Sequence, residues 1–495
     1  MDPPTPDDSI TEGGLVRPMF RLAWPIVVIQ LLQVTYNIAD TFWLGRYSAD
    51  AVGAISLAFP LIFLLISIAG GFTTAGSILV AQYTGADSEG SAGKVAGQIL
   101  VFISILAILL GILGFFATTP MLELIPSQQE TTDQIVPLAG DYMEVFFLGM
   151  PFLFGFFVFS SLMRGYGNTK TPMRVMAISV ALNVILDPIL IFGLGPTPEA
   201  ITGIEGAAVA TVFSRGVASL IGFYILFGTD AGPTVNFDDL VPDFEYIRNI
   251  VRIGVPSTLE QSMSALAMIT LTAMVVQFAP PVVSAYGLGN RLASLVFLPA
   301  MGLGRATNTM VGQNLGAQKE DRAERAVWLA TKAGASVMLG VAVVAALFPE
   351  PIVSVFMATG TQAAKQTVEH GSTYLRIRTV EFTFMAVLQV MLGAYRGAGN
   401  TRTALGFSMV ALWLGRVPTV YYLAFVASWG PLGIWWGMAF GNVVGAIAAV
   451  LWFTRGTWKQ TVIEDDEKAN APDVGPNADV SGDGDLTSAD GGTEK

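Results

Sequence analysis

Residues 164–169 read Arg164-Gly165-Tyr166-Gly167-Asn168-Thr169, and residues 396–401 read Arg396-Gly397-Ala398-Gly399-Asn400-Thr401. The two hexapeptides lie 232 residues apart. A second pair, Ala81-Gln82-Tyr83-Thr84-Gly85-Ala86 and Gly312-Gln313-Asn314-Leu315-Gly316-Ala317, is offset by 231. Pro25 and Pro256 share that second offset. Three matches in the same order at one offset indicate a duplicated unit, and the unit decides the fold.

Around these motifs the chain is strongly apolar. It has 495 residues, 53% hydrophobic and only 13% charged, with a mean hydropathy of +0.59. Runs long enough to cross a bilayer core fall at about 19–44, 51–80, 95–118, 138–163, 173–194, 205–227, 247–278, 283–311, 325–348, 370–396, 403–427 and 430–453. That is six per repeat. The expected fold is an all-α polytopic membrane protein, with twelve spans in two pseudo-symmetric lobes. Six is even, so both repeats enter the membrane from the same side, a layout used by transporters. With the N-terminus placed inside, sixteen Lys and Arg, from Arg17 to Lys459, fall on inside segments. Only Arg46, Lys365, Arg376 and Arg378 fall outside. This bias predicts two cytoplasmic termini and a multi-pass protein of the plasma membrane. The N-terminus lacks the basic-then-apolar pattern of a cleaved leader, so the first span is expected to act as the insertion signal.

The net charge of −12 divides unevenly. Residues 1–16 carry four acids and no base, and 456–495 carry ten acids against three lysines. Both segments read as disordered acidic tails. The N-lobe then covers 17–227, an acidic linker 228–246, and the C-lobe 247–455. Long acidic cytoplasmic segments fit a salt-loving source, with an archaeal membrane as the first expectation. The tail segment 479–490 matches a calcium loop in its ligand positions, but low-complexity acidic sequence produces such matches readily.

Composition also excludes chemistry. Zero cysteines and one histidine, His370, leave no thiolate or histidine metal site and no Ser/His/Asp set. Near-neutral charge in the body argues against nucleic acid. No cofactor is expected beyond a coupling ion.

Ionisable groups inside spans are costly and mark function by default. Gln33, Asn37 and Asp40 share one face of the first span. Asn183 and Asp187 share one face of the fifth, at similar depth. Two carboxylates, an amide and a hydroxyl suit a hard cation, and two neighbouring carboxylates also suit a proton carrier, so Na⁺ and H⁺ both stay open. Pairing with Arg215 is the structural alternative. Glu260 and Glu381 lie deep in their spans, with ion pairing to Arg291, Arg305 or Arg416 as the rival reading. Met173, with Met176, Phe154 and Phe157, reads as core packing or as a greasy cavity wall. Pro25 interrupts the first helix and either kinks it passively or hinges it.

The chain resembles the multidrug and toxic compound extrusion (MATE) transporters over roughly 17–455. The resemblance rests on Asn37-Ile-Ala-Asp40, Ala81-Gln-Tyr-Thr-Gly-Ala86, Arg164-Gly-Tyr-Gly-Asn168-Thr-Lys-Thr-Pro172, Asn183-Val-Ile-Leu-Asp187-Pro188 and Gly203-Ile-Glu-Gly-Ala-Ala-Val-Ala-Thr211. It is closest to the subgroup with acids on the first and fifth helices. The resemblance implies a secondary antiporter that exports organic, often cationic, small molecules in exchange for Na⁺ or H⁺. It implies a coupling-cation site at Asp40, Asn183, Asp187 and Thr211, which would be the Na⁺ ligands in a sodium-coupled protein. Gln33 and Tyr36 then match positions near the substrate cavity, and Pro25 a helix-bending proline. Asn37, Met173, Glu260 and Glu381 complete the expected cavity residues. Another subgroup has a glutamate at the position of Ser264. The expected partners are small organic molecules and membrane lipid, with a monomer as the default. A lipid-linked oligosaccharide flippase of the same superfamily and a non-transporting membrane receptor are the rival readings.

Overall fold

The computed structural model describes residues 9–123, 129–194, 198, 201–357, 361–459 and 461–463, without the side chains of residues 60, 61, 64, 123 and 129–133. Among these residues it is helical, with no strand. In chain order the helices are α1 (Val16–Tyr47), α2 (Ala49–Gly85), α3 (Glu89–Glu123), α4 (Gln129–Leu148), α5 (Met150–Tyr166), α6 (Lys170–Ile191) and α7 (Gly203–Gly228). They continue as α8 (Phe244–Val275), α9 (Pro280–Gly316), α10 (Glu320–Leu347), α11 (Pro349–Ser354), α12 (Gln362–Gly397), α13 (Thr401–Met409), α14 (Val417–Tyr421) and α15 (Pro431–Phe453).

Nine described helical paths are both long and apolar enough to cross a membrane. The fourth, seventh and eighth expected spans are present in altered form, each for a local reason. The fourth is a bent pair, Gln134–Leu148 and Met150–Tyr166, at 55°. The break falls at Gly149, with Pro151 at the start of α5. A Cβ on Gly149 would strike Val212, so only glycine lets α7 approach the corner. The seventh and eighth spans, α8 and α9, have the length (32 and 37 residues) but are more polar. Their Glu260, Thr307, Asn308, Thr309, Gln313 and Asn314 are all buried against protein. The eleventh, Thr401–Val426, is one of the nine, but it runs through α13 and α14 with π-helical turns at Val410–Arg416 and Tyr422–Val426. Pro418 carries no N–H, so the α-helical ladder cannot run unbroken there. Helix α1 continues through the buried Pro25.

Helices α1–α7 build one lobe and α8–α15 the other. They meet along a seam where α2 lies against α8 and α9, and α1 against α9. The named seam contacts cluster toward one end of the molecule. Gln30 accepts from Arg305 at 3.3 Å, and Ile68 O accepts from Thr258 at 3.2 Å. Gln82 Nε2 donates to Gly397 O at 3.0 Å, and Gln313 Nε2 to Gly165 O at 2.9 Å.

The inner ends of the acidic tails are packed, unlike the expectation for 1–16 and 456–495. Ile10 is buried; its carbonyl accepts from Asn314 Nδ2 at 3.2 Å. Arg322 donates to Glu12 O at 2.6 Å and Gly13 O at 2.7 Å. Trp458 is buried and stacks on Phe453, and Val462 N donates to Gln82 Oε1 at 2.9 Å. Apolar residues at the ends of otherwise polar tails supply the burial energy for this. The 479–490 segment lies outside the described residues. The linker is also tied down: Gln98 Nε2 donates to Asp239 O and Val241 O at 2.7 and 2.6 Å, and its Oε1 accepts from Asp243 N at 2.8 Å.

Candidate cation site in the first lobe

The N-lobe polar stripes converge. Asp40 on α1, Asn183 and Asp187 on α6 and Thr211 on α7 are all buried, Asn183 and Asp187 completely. Periodicity explains the meeting. Asn183 and Asp187 are one turn apart on the face of α6 that packs on α1 and α7. Asn183 Nδ2 donates to Asp187 Oδ1 at 3.0 Å. Asp40 faces Asp187, Asn183, Tyr36 and Arg215. Tyr36 OH donates to Thr211 Oγ1 at 2.5 Å, which ties α1 to α7.

Three acceptors in this cluster have no donor: Asp40 Oδ1, Asn183 Oδ1 and Asp187 Oδ2. A buried acceptor without a partner is costly, and three at one place from three side chains make this the candidate site for a donor or a cation. Oxygen-only donors of this kind fit a hard cation or a proton.

Arg215 does not neutralise the acids by pairing. Among the described residues no ion pair within 4.0 Å joins it to Asp40 or Asp187. Its Nη2 donates to Gln33 Oε1 at 2.5 Å, and its Nη1 lies 2.9 Å from Met176 Sδ. The guanidinium sits over the rings of Tyr36 and Phe156, at 5.1 and 5.3 Å. It therefore supplies positive potential beside the carboxylates while being held by neutral partners.

The other expected residues divide. Gln33 bridges Arg215 and Asn37, donating to Asn37 Oδ1 at 3.2 Å, and Asn37 is exposed. Tyr36 is buried within the site. Met173 is half-buried in the first turn of α6, ten residues before Asn183, whereas Met176 is the methionine that reaches Arg215. Glu260 and Glu381 lie elsewhere, inside the C-lobe. Glu260 accepts from Arg396 Nε and Nη2 at 3.1 and 2.5 Å and from Ser408 Oγ at 2.6 Å. Glu381 meets Arg378 Nη1 at 2.6 Å and accepts from Asn442 Nδ2 at 3.0 Å. Arg378, expected in an outside loop, is thus buried within α12. Glu381, one turn along and 2.6 Å away, offsets part of its charge, which a hydropathy window does not register.

One site residue escaped the sequence reading. Tyr142 on α4 faces Asp40, Asp187 and Thr211. The repeat held a signal for it, because Tyr142 and Tyr374 stand 232 residues apart.

Two like-built helical lobes, a polar cluster inside one of them and a seam closed at one end define a membrane transporter rather than an enzyme. The comparisons agree. The MatE family model matches residues 25–189 and again 256–422, so each lobe carries one copy. The chain belongs to the MatE family. It is 30% identical over 455 residues to the probable multidrug resistance protein YpnP of Bacillus subtilis, covering 91% of this chain and 97% of that one. It is 27% identical to an FAD transporter of Shewanella oneidensis, over 83% of this chain and 88% of that one. A MATE structure in a bent conformation superposes with a TM-score of 0.83 at 25% identity, covering 91% of this chain and 97% of that chain. An outward-facing MATE family transporter gives 0.81 at 26%, covering 93% and 100%.

Proposed function

We propose that the protein is a secondary antiporter. It exports organic, often cationic, small molecules in exchange for Na⁺ or H⁺ across the plasma membrane, with both termini cytoplasmic. The observation that carries this reading is the set of three donorless oxygens on Asp40, Asn183 and Asp187. They supply a binding place for the coupling ion, with Thr211 as a fourth oxygen. The names of the relatives support export of small organic compounds, and they include both multidrug proteins and a flavin-nucleotide transporter.

The mechanism follows from where the lobes touch. With the termini cytoplasmic, the seam closed near Gln82 and Gln313 is the cytoplasmic end, as an outward-facing arrangement requires. A cation entering from outside binds between Asp40 and Asp187 and offsets one of their negative charges. Tyr36 faces Asp40 and holds Thr211, and Arg215 faces Asp40 and is held by Gln33, so occupancy acts on side chains of α1, α6 and α7 together. A cationic substrate near Asn37 then loses its electrostatic attraction and leaves, and the lobes rock to reload. The acidic tails fit a salt-rich surrounding, where high solvating charge keeps cytoplasmic segments soluble.

The test is efflux of a cationic dye from proteoliposomes under imposed Na⁺ or pH gradients in turn. One gradient should drive export, and Asp187→Asn should abolish the driven component with folding intact. Dye export by Asp187→Asn at the unmutated rate would overturn the proposal.

A further inference from the structure

The C-lobe carries a second buried charged cluster at the place related by the repeat to the cation site. Tyr374 and Asn442 are the repeat counterparts of Tyr142 and Thr211. Asn442 donates to Glu381 Oε2 at 3.0 Å, and Arg378 lies 5.5 Å from the Tyr374 ring. Asp40 and Asp187 have no acidic counterpart: their positions are Leu271 and Thr419. Instead the cluster holds Arg378, Arg416 and Glu381. Glu381 is 2.6 Å from Arg378 Nη1 and 3.9 Å from Arg416 Nη2. The side chains are 6%, 14% and 0% exposed for Arg378, Arg416 and Glu381.

The charge does not balance. The charged and titratable groups facing Arg378 and Arg416, besides each other, are Glu381, Tyr374 and Tyr286. One carboxylate therefore serves two guanidiniums in a lobe interior, where an uncompensated charge is strongly unfavourable. The hydrogen-bond inventory is unbalanced in the same direction. Arg378 Nε and Nη1, Arg416 Nε and Trp435 Nε1 are buried donors without an acceptor, against one orphaned acceptor, Glu381 Oε1. In the N-lobe the orphaned atoms at the corresponding place are all acceptors. The two lobes thus present matched sites of opposite polarity: two acids and one arginine in the first, two arginines and one acid in the second. Arg416 also closes the π-helical turn Val410–Arg416, an irregularity that frequently accompanies functional sites.

We infer that the C-lobe cluster at Arg378, Arg416 and Trp435 binds an anionic group, either a small inorganic anion or the carboxylate of a substrate. The guanidiniums supply the charge, Trp435 and Tyr374 wall the site, and Glu381 competes with the ligand for both arginines. Glu381 therefore weakens the site while holding Arg378 in place. The inference does not depend on the cation-coupled reading, because it concerns the opposite lobe and the opposite charge.

Equilibrium binding of radiolabelled chloride, and separately of radiolabelled benzoate, to the purified full-length protein in detergent tests it. At least one probe binds saturably with a stoichiometry near one per chain. Saturation by chloride alone identifies an ion drawn from solution; saturation by benzoate identifies a substrate carboxylate. Arg416→Gln abolishes the binding, with Arg416→Lys restoring part of it. Glu381→Gln tightens it several-fold, a direction that misfolding cannot imitate, so the test survives a poorly folding arginine variant. Absence of saturable binding of either probe overturns the inference, as does affinity left unchanged or weakened by Glu381→Gln.

Discussion

Gln82 and Gln313 hold the two lobes together reciprocally. Each projects from a helix end of its own lobe, α2 or α9, and donates its side-chain amide to a backbone carbonyl of the other lobe. The acceptors, Gly397 and Gly165, are themselves repeat counterparts. The backbones cross just as symmetrically: a Cβ on Gly85 would strike the Gln313 carbonyl, and a Cβ on Gly316 the Gln82 carbonyl. A gene duplication thus left one lock used twice across the pseudo-two-fold axis.

Because both amides are fully or nearly fully buried, replacing one with leucine strands a carbonyl and removes a bond, at about 1–3 kcal/mol. That cost falls only on the arrangement with this end closed. Gln82→Leu should therefore shift the population toward the alternative arrangement, and Gln313→Leu by a similar amount. Spin-label distances across the closed end, measured in lipid, should lengthen in both variants. Unchanged distance distributions would remove the lock from the account.

The tails extend the same logic. Ile10 reaches Gly167 and Val462 reaches Gly399, the left-handed glycines (φ 97° and 77°) of the two repeated hexapeptides. Each tail residue also touches the opposite lobe, Ile10 through Asn314 and Val462 through Gln82. Glycine is required at both corners for its positive φ and for the space that the tail residue fills. Gly399→Val should displace the C-terminal strap and expose Trp458 and Val462. Limited proteolysis should then cut near 456–463 faster than in the unmutated protein.

How far the sequence carried the reading is visible in particular residues. The twelve paths were legible because lipid leaves the backbone no alternative to helix, so apolar run length reports span number almost directly. Asp40, Asn183 and Asp187 were legible because helical period placed them on faces and intramembrane charge is expensive. Contact across lobes or between distant helices leaves no periodic trace. Thus Arg215 was noticed, but its partners Gln33 and Met176 were not. Nor did the tie from Tyr36 to Thr211 leave such a trace. Arg378 was misplaced for the same reason: its partner Glu381 offsets part of the charge that hydropathy counts in full.

Arg215 offers a direct test of the electrostatics of the first site. Its guanidinium sits beside Asp40 without pairing to it, so it repels an incoming cation. Arg215→Gln keeps a hydrogen-bond donor for Gln33 while removing that charge. The coupling ion should bind more tightly and leave more slowly. The ion concentration giving half-maximal driven efflux should fall, and the maximal rate should fall with it. A rise in the required concentration would mean that Arg215 supports the cation site structurally instead of opposing its ligand.

Glu260 makes the contrasting prediction. Its carboxylate is filled by two Arg396 donors and Ser408, and Arg396 opens the repeated hexapeptide at the foot of the C-lobe. Removing one member of such a buried pair typically costs about 3–5 kcal/mol, because the surviving charge is left uncompensated. Glu260→Gln should accordingly lower the unfolding temperature of the detergent-solubilised protein by several degrees. The ratio of coupling ion to dye in transport by the folded fraction should be unchanged, since the three orphaned oxygens of the other lobe are untouched. The double variant Glu260→Gln/Arg396→Gln should recover much of the lost stability, as neither charge then remains unpaired. A changed coupling ratio with unaltered melting would instead place Glu260 in the ion pathway and not in the scaffold.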